Sequence, residues 1–212
     1  LQLTEEDTFV DLGSGEGDVV MQAFELGCKH VIAIELNVKS ILTMNKRIHE
    51  QYDLVTAVGL APYKTWGVSG IWMVLGAVFR HRTEGHEVVL DIVRADLVQL
   101  SIHCLAAAGV QLPANRTKVF CYGTIWLPEV KRGVVRLMNR MPPNTSLAWV
   151  SRPKTTGPSS FVEVFDAENP QEELLRSGLS QETLPFRHTL PHLLTKSEPA
   201  EEMSSYLYQR QE

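Results

Sequence analysis

The chain has 212 residues, 44% of them hydrophobic, and a formal net charge of −5 from 20 Lys+Arg and 25 Asp+Glu. This composition excludes collagen, a coiled coil and bulk disorder, and it predicts an ordinary globular domain with enough apolar residues for a sizeable core. Three widely spaced cysteines without a CxxC pair exclude a disulfide-stapled mini-protein and favour a reducing compartment, cytosol or nucleus. The longest nearly apolar stretch, Trp66 to Phe79, is shorter than the roughly 20 residues of a membrane-spanning helix, so no membrane association is expected.

The first part of the chain alternates short apolar runs with amphipathic stretches. Thr8 to Asp11 is predicted to be a strand, and a glycine-rich turn and a helix from Asp18 to Leu26 follow it. His30 to Glu35 is a second predicted strand, and Lys39 to Tyr52 spaces its apolar residues along one helical face. This β-α-β-α order predicts a parallel sheet with right-handed crossovers.

Residues 53 to 86 are too long for a simple return to the sheet. We expect an insertion packed on the domain, whose aromatic residues Trp66, Trp72 and Phe79 belong to the core rather than to a pocket.

The middle of the chain resumes the alternation. Predicted strands lie at Glu87 to Val93, Lys118 to Cys121 and Leu147 to Val150. Between them, Val98 to Ala108 and Pro128 to Met141 are predicted helices, the second with proline in its first turn.

The pattern changes near the C-terminus. We expect a core domain over residues 1–165, an acidic, proline-rich loop over 166–200 and a terminal strand within 201–212. Phe161 to Phe165 and Tyr206 to Tyr208 alternate like strands, and an antiparallel strand pair is predicted at the C-terminal end of the fold. The predicted fold is therefore α/β and Rossmann-like, with a mostly parallel sheet, helices on both faces and this antiparallel pair.

Charge is distributed unevenly. Residues 166–212 carry nine acidic side chains against four basic ones. The run from Arg116 to Lys154 has eight basic side chains and one acid, Glu129. Such a run is typical either of a solvated helix face or of a surface that binds a polyanion, and the sequence leaves both open.

A glycine-rich turn from Gly13 to Gly17 joins the first strand to the first helix. Glycines let the backbone approach a ligand closely and aim helix N–H groups at it. The dinucleotide fingerprint GxGxxG would require glycine at position 18, where Asp18 stands. Asp11 would repel a pyrophosphate by about 1 kcal/mol or more, so it suits a ligand with a cationic amino group better.

With this acid-x-Gly-x-Gly-x-Gly motif the sequence resembles the class I S-adenosylmethionine-dependent methyltransferases. The resemblance implies that the turn wraps the methionine part of S-adenosylmethionine. The residues that take this role are Asp11, Gly13, Ser14, Gly15 and Gly17.

Two further acids match the pattern of these enzymes. Glu35 ends the second strand and corresponds to the acid that accepts both ribose hydroxyls, for which a carboxylate has two oxygens. Asp96 follows the strand that begins at Glu87 and corresponds to the acid on the adenine amino group, with Leu97 packing on the ring.

The resemblance narrows to the disruptor-of-telomeric-silencing (DOT) family of nucleosomal histone lysine methyltransferases. It is carried by the segments FVDLGSGEGDVVMQ, CKHVIAIE, LPEVKRGVVRLMNRMPPNTSLAWVSRP and SSYLYQRQE. Pro128-Glu129 at a helix start and the aromatic strand Tyr206-Leu207-Tyr208 are the narrowing features. The family implies methylation of a core lysine of histone H3 in nucleosomes, and therefore a chromatin regulator in the nucleus.

Methyl transfer from a sulfonium implies no metal, because the leaving group is already activated. It does require a neutral acceptor amine, and lysine has a reference pKa of about 10.4. Tyr122 and Trp126, which follow the fourth predicted parallel strand, are the candidate catalytic channel residues, and Tyr122 also lies where the cofactor would bind. Packing at a sheet edge is the alternative for both. His188 and His192 have metal-like spacing, but Pro191 lies between them and no zinc site is expected.

The basic run from Arg116 to Lys154 would then contact DNA phosphates or the acidic histone surface of a nucleosome. Two alternatives stay open. Tyr122-Gly123 stand where the family has an Asn pair, which leaves a methyltransferase of another substrate: a non-histone protein lysine, RNA or a small molecule. The sequence also begins only a few residues before the first strand, where the family has a lid over the cofactor, which leaves a non-catalytic cofactor-binding module.

Overall fold

The computed structural model describes residues 3–60, 70–122, 126–151, 179–182 and 204–210. Within these ranges, no helix is long and apolar enough to cross a membrane.

The described residues form a single nine-stranded sheet and four helices. The strands are β1 (Thr8–Leu12), β2 (His30–Glu35), β3 (Tyr52–Leu60), β4 (Ile71–His81), β5 (Glu87–Ala95), β6 (Thr117–Tyr122), β7 (Ser146–Ser151), β8 (Leu179–Glu182) and β9 (Ser204–Arg210). The helices are α1 (Asp18–Glu25), α2 (Val38–Gln51), α3 (Ile102–Ala107) and α4 (Pro128–Met138).

The sheet order is β3-β4-β5-β2-β1-β6-β7-β9-β8. Its five central strands, β5, β2, β1, β6 and β7, are parallel to one another, and antiparallel strands extend both edges. The predicted Rossmann-like sheet with an antiparallel C-terminal strand pair is confirmed.

Helices cover both faces of the sheet, as predicted. On one face, Val10 and Leu12 of β1 share a core cluster with α3 and α4, which contribute Leu105 and Val134. On the other face, Phe9 belongs to a second cluster with α1 and α2. Because helices pack on both faces of β1, all five of its residues are buried, and buried residues do not alternate with exposed ones.

The segment after Tyr52 extends the sheet instead of packing on it as a separate insertion. β3 pairs antiparallel with β4, and β4 pairs antiparallel with β5. Phe79 is buried in the core, as expected, whereas Trp72 is half-buried under the guanidinium of Arg94, 5.7 Å from its ring centre. Trp66 lies outside the described residues. The sequence did not predict this pairing, because strands pair through backbone hydrogen bonds and the apolar pattern does not show which strands are partners.

β8 lies inside the region 166–200 that was predicted to be loop, which corrects that prediction. It pairs with β9 through the register from Leu179↔Arg210 to Glu182↔Leu207. An edge strand can be held by ladder hydrogen bonds without an apolar pattern, so Ser180 and Gln181 carry no strand signal. The strand predicted at Phe161 to Phe165 lies outside the described residues.

Helix α3 begins later than predicted, at Ile102. Ser101 caps it, its side chain accepting a hydrogen bond from the Cys104 N–H at 3.2 Å.

Replacement of Phe24 tests the α1–α2 side of the core. Its side chain is 1% exposed, and its ring lies 5.5 Å from that of Tyr52. We expect Phe24→Ala to lower the free energy of unfolding by about 3–5 kcal/mol in urea denaturation. The control, Leu42→Ala, removes a side chain that is 63% exposed and should stay within about 0.5 kcal/mol of wild type. Equal losses in both variants would contradict the assignment of this face as core.

Candidate functional site

The candidate site lies at the carboxyl ends of four adjacent parallel strands. The register pairs Leu12 with Ile34 and with Cys121, and Glu35 with Arg94, so β5, β2, β1 and β6 end at one edge of the sheet. In open α/β sheets this edge is where ligands bind. All the sequence-predicted site residues belong to these strand ends or to the segments that follow them.

The glycine turn is tied to the end of β2. The N–H groups of Gly13 and Ser14 both donate to the carbonyl of Ile34, at 2.8 and 3.1 Å, and the Gly17 N–H donates to the Ser14 carbonyl at 3.0 Å. Gly13, Gly15 and Gly17 have φ of 76°, 54° and 86°, a region that favours glycine. The backbone therefore turns sharply here, and α1 begins immediately afterwards at Asp18.

Trp126 packs against this turn. A Cβ added to Gly13 would lie 2.5 Å from Cζ2 of the Trp126 indole, so only glycine lets the ring approach so closely. Gly17 is similarly crowded by Met44 of α2. The structure thus brings Trp126, predicted from the sequence only as a channel residue, into contact with the glycine turn.

Asp11 is the most unusual ionisable group of the site. It is 2% exposed at the end of β1, and burial, with smaller contributions from Glu35 and Asp18, raises its pKa to about 8. Its Oδ2 is buried without a hydrogen-bond partner among the described residues, and so is the hydroxyl of Ser14. Buried polar atoms are normally paired, so these two orphaned atoms fit a ligand that donates hydrogen bonds and carries positive charge.

The Glu35 carboxylate accepts three backbone N–H groups and joins the glycine turn to the start of α2. Its Oε2 accepts from the Gly15 N–H at 2.9 Å, and its Oε1 accepts from the Leu36 and Asn37 N–H groups at 2.8 and 2.7 Å. A carboxylate has about four acceptor positions, so this one keeps about one for a ligand.

Asp96 and Leu97 form a loop that is held on both sides. The Asp96 N–H donates to the Gly70 carbonyl at 2.8 Å, and its Oδ1 accepts from the Val98 N–H at 2.9 Å. Leu97 is buried, and Gly133 of α4 packs against its carbonyl so closely that a Cβ would clash. Sequence reasoning missed Gly133, although a glycine inside a helical pattern is a signal for close packing.

Tyr122 is half-buried at the end of β6, while Gly123 lies outside the described residues. Next to Tyr122, burial raises the pKa of the Cys121 thiol well above its usual range. Cys121 is therefore a core residue and not a thiolate nucleophile.

The N-terminal part of the chain matches a known family. Residues 1–68 match the family model described as "Histone methylation protein DOT1". None of the curated proteins is significantly similar to the chain in sequence.

Solved structures of similar architecture include methyltransferases. An S-adenosylmethionine dependent methyltransferase from Mesorhizobium loti is 15% identical, with a TM-score of 0.56 over 99% of this chain and 93% of that one. The N-methyltransferase NodS from Bradyrhizobium japonicum, in complex with S-adenosyl-L-homocysteine, is 11% identical, with a TM-score of 0.54 over 97% and 79%. An rRNA methylase from Streptococcus thermophilus is 9% identical, with a TM-score of 0.50 over 100% and 91%.

This protein has a class I methyltransferase fold, and it resembles the DOT1 family. In this methyltransferase fold the predicted positions Asp11, Glu35 and Asp96 lie at the ends of three neighbouring strands, β1, β2 and β5.

Lys131 of the methyltransferase fold does not lie on a solvent-facing basic surface, which corrects that part of the sequence interpretation. It is 6% exposed, and burial lowers its pKa to about 8. Lys131 lies on the same buried face of α4 as Val134, Val135 and Met138, because residues three, four and seven positions apart share one face of a helix. Two other basic residues also have structural partners: Arg136 donates to the Val98 carbonyl at 2.8 Å, and Arg116 pairs with Glu6 at 3.1 Å.

The buried Asp11 predicts an inverse dependence of stability on pH. Its pKa is about 8 in the folded protein against an ordinary 3.8, so the folded state binds more protons between about pH 4 and pH 8. Stability should therefore fall as pH rises through this window, by at most about 1.4 kcal/mol per pH unit from this group. Urea unfolding at several pH values should show a flatter profile for Asp11→Asn.

Asp96→Asn is the matched control, because its partly exposed carboxylate lies at the same sheet edge. It should keep the wild-type slope. Identical slopes for Asp11→Asn and wild type would contradict the elevated pKa of Asp11.

Proposed function

We propose that this chain is an S-adenosylmethionine-dependent protein-lysine N-methyltransferase that acts on a core lysine of histone H3 in nucleosomes, as a chromatin regulator in the nucleus. The observation that supports binding of S-adenosylmethionine is the buried, unpaired oxygen of Asp11 beside the glycine turn. The match of residues 1–68 to the histone methylation family supports the choice of acceptor.

The residues at the sheet edge fit S-adenosylmethionine, which supplies a methyl group activated by a sulfonium. Asp11 and Ser14 would receive the cationic amino group, satisfying both orphaned atoms. Gly15 has open space beside its backbone, because a Cβ there would meet nothing within 4 Å, so the turn is accessible to the methionine part at this residue. A positive charge beside Asp11 would favour its ionised form and offset the cost of burying it.

Glu35 and the Asp96 loop would hold the nucleoside. Glu35 accepts three backbone N–H groups and has room for about one ribose hydroxyl. A second ribose contact requires that Leu36 or Asn37 release its hydrogen bond. Asp96 has its Oδ2 available to the adenine amino group beside the weak 3.4 Å contact from Gln99, and Leu97 supplies an apolar surface.

The acceptor amine would approach past Tyr122 and Trp126. Both side chains are half-buried, and Trp126 lies directly on Gly13. A narrow apolar channel disfavours the ammonium form of lysine and so raises the fraction of neutral amine, and the proton of the amine leaves to water before the transfer. The protein otherwise needs only to align the amine about 3–3.5 Å from the methyl carbon.

Substrate contacts of the basic run would come from residues other than Lys131. Arg140 is exposed at the end of α4, whereas Arg136 supports the Asp96 loop through Val98. Arg152 and Lys154 lie outside the described residues. Charge reversal at Arg140 is therefore a cleaner test of DNA or histone contact than a change at Lys131 or Arg136.

A methyltransferase of another substrate is the second candidate. It is favoured by Tyr122, which stands where the resemblance to the DOT family would place an asparagine. RNA, a non-histone protein and a small molecule are the alternative acceptors.

Transfer of labelled methyl to nucleosomes, free histones and bulk RNA tests the proposal. We expect label on histone H3 in nucleosomes, reduced about 10- to 100-fold in Asp11→Ala because a charge-assisted hydrogen bond is lost. Asp53→Ala, at an exposed pair with Arg82, is the control and should retain full transfer. Label on RNA alone would support the second candidate, and cofactor binding without any transfer would indicate a non-catalytic module.

The number of protons released on ligand binding tests whether Asp11 contacts the amino group of the cofactor. At pH 7 a carboxyl with a pKa of about 8 is mostly protonated, and a cationic amino group beside it should expel that proton. Calorimetry with S-adenosylhomocysteine in buffers of different ionisation enthalpy should detect release approaching one proton. Asp11→Asn, and wild type with 5′-methylthioadenosine, which lacks the amino group, should show none. Equal release in all three would refute this role.

A further inference from the structure

A second cluster of reactive side chains lies in the turn between β4 and β5. His81 ends β4, His86 precedes β5, and Glu84 lies between them. The His81 N–H donates to the His86 carbonyl at 2.9 Å, and the Gly85 N–H donates to the His81 carbonyl at 3.0 Å. Gly85 has φ of 75°, which closes the turn. The two imidazoles are consequently held side by side.

The cluster brings three potential metal ligands together at distances somewhat larger than those of a bound zinc ion. The His81 and His86 rings are stacked at 5.1 Å with a 5° angle between their planes. Glu84 Oε2 lies 3.2 Å from Nδ1 of His86 and 4.0 Å from Nδ1 of His81. One donor atom from each residue lies within 4.8 Å of the others. Ligand atoms of a tetrahedral zinc ion are roughly 3.3 Å apart, given bonds of about 2.0–2.2 Å.

To bind one ion, the Glu84 carboxylate has to move toward the imidazoles, and His81 has to bind through Nε2 or give up the hydrogen bond that its Nδ1 accepts from the Glu84 N–H at 3.1 Å. The Glu84 side chain is 68% exposed and therefore able to move, whereas the Tyr52 ring packs edge-on against His81 at 4.9 Å. One ligand is thus held by core packing, and another can adjust to an ion.

An independent observation also points to a ligand. Nε2 of His86 is buried and has no hydrogen-bond partner among the described residues. The three residues line a cavity of about 550 Å³ that reaches Cys28 and Tyr52. The contact with Glu84 uses Nδ1 of His86 and leaves Nε2 without a partner, although a buried imidazole nitrogen normally has one, so Nε2 is the His86 atom open to a ligand.

We propose that His81, Glu84 and His86 bind a divalent transition-metal ion, zinc by preference. Two imidazoles and one carboxylate match the ligand types of zinc, with water as the fourth ligand. The ion would fix the β4–β5 turn. This turn lies at the amino end of β5, whereas Glu35 and Asp11 lie at the carboxyl ends of their strands, so the ion is remote from the glycine turn.

Metal titration of the full chain tests the site. Protein stripped with EDTA and dialysed should bind one equivalent of Zn²⁺ by calorimetry, and Co²⁺ should give the visible absorption of a low-symmetry site. His86→Ala and Glu84→Gln should each weaken binding by more than about 100-fold, since even the loss of an outer partner of a ligand costs about 10- to 100-fold. Zn²⁺ should raise the melting temperature of wild type but not of either variant.

His103→Ala is the matched control, because His103 is exposed on α3 and does not line the cavity. It should bind Zn²⁺ like wild type. Glu84→Gln changes an exposed side chain, so this variant should fold like wild type, and a loss of binding would not result from misfolding. Absence of Zn²⁺ binding by wild type, or equal binding by wild type and both cluster variants, would overturn the proposal. Neither readout involves methyl transfer, so this result is independent of the proposed function.

Discussion

The carbonyl of Ile34 is the point on which the candidate site depends. It accepts the N–H groups of Gly13 and Ser14, so the turn after β1 is fixed to the end of β2. One residue later, the Glu35 carboxylate binds the same turn through Gly15 and also the start of α2. Two strand ends, one turn and one helix are thereby held by adjacent residues. Glycine meets two requirements of the turn. It adopts the positive φ angles, and at Gly13 and Gly17 it leaves room for neighbouring side chains that a Cβ would displace.

Rigidity of the turn has an electrostatic consequence. Asp11 is held in the core without solvent, near a second carboxylate, and one of its oxygens lacks a partner. Such an arrangement costs folding free energy unless a ligand compensates it. Pre-organised but unsatisfied groups are what a site for a cationic cofactor requires, since the ligand then gains contacts that water and the protein do not supply. Stability without ligand and affinity for ligand are therefore opposed at this residue.

The two ends of the sheet have different chemistry. The carboxyl ends of the parallel strands carry the acids, the glycine turn and Trp126, whereas the amino end of β5 carries the two histidines and Glu84. Helix α4 supports the first end, because Gly133 packs on the Leu97 carbonyl and Arg136 binds the Val98 carbonyl. Part of the positive charge that the sequence concentrates in this helix thus has a structural role, because Arg136 supports the Asp96 loop and Lys131 is buried.

Sequence alone determined the β-α-β-α core, the glycine turn and the acids at the strand ends, because apolar periodicity and glycine act over a few residues. It did not determine that residues 52–60 and 71–81 extend the sheet or that 179–182 pairs with β9, since these pairings join distant segments through backbone hydrogen bonds. The spacing of Lys131 from the apolar residues of α4 places it on the buried face, but its charge favoured a solvent-exposed position. Only the tertiary structure left Asp11 Oδ2 unpaired and brought His81, Glu84 and His86 together, because burial and the closure of a turn are properties of the folded chain.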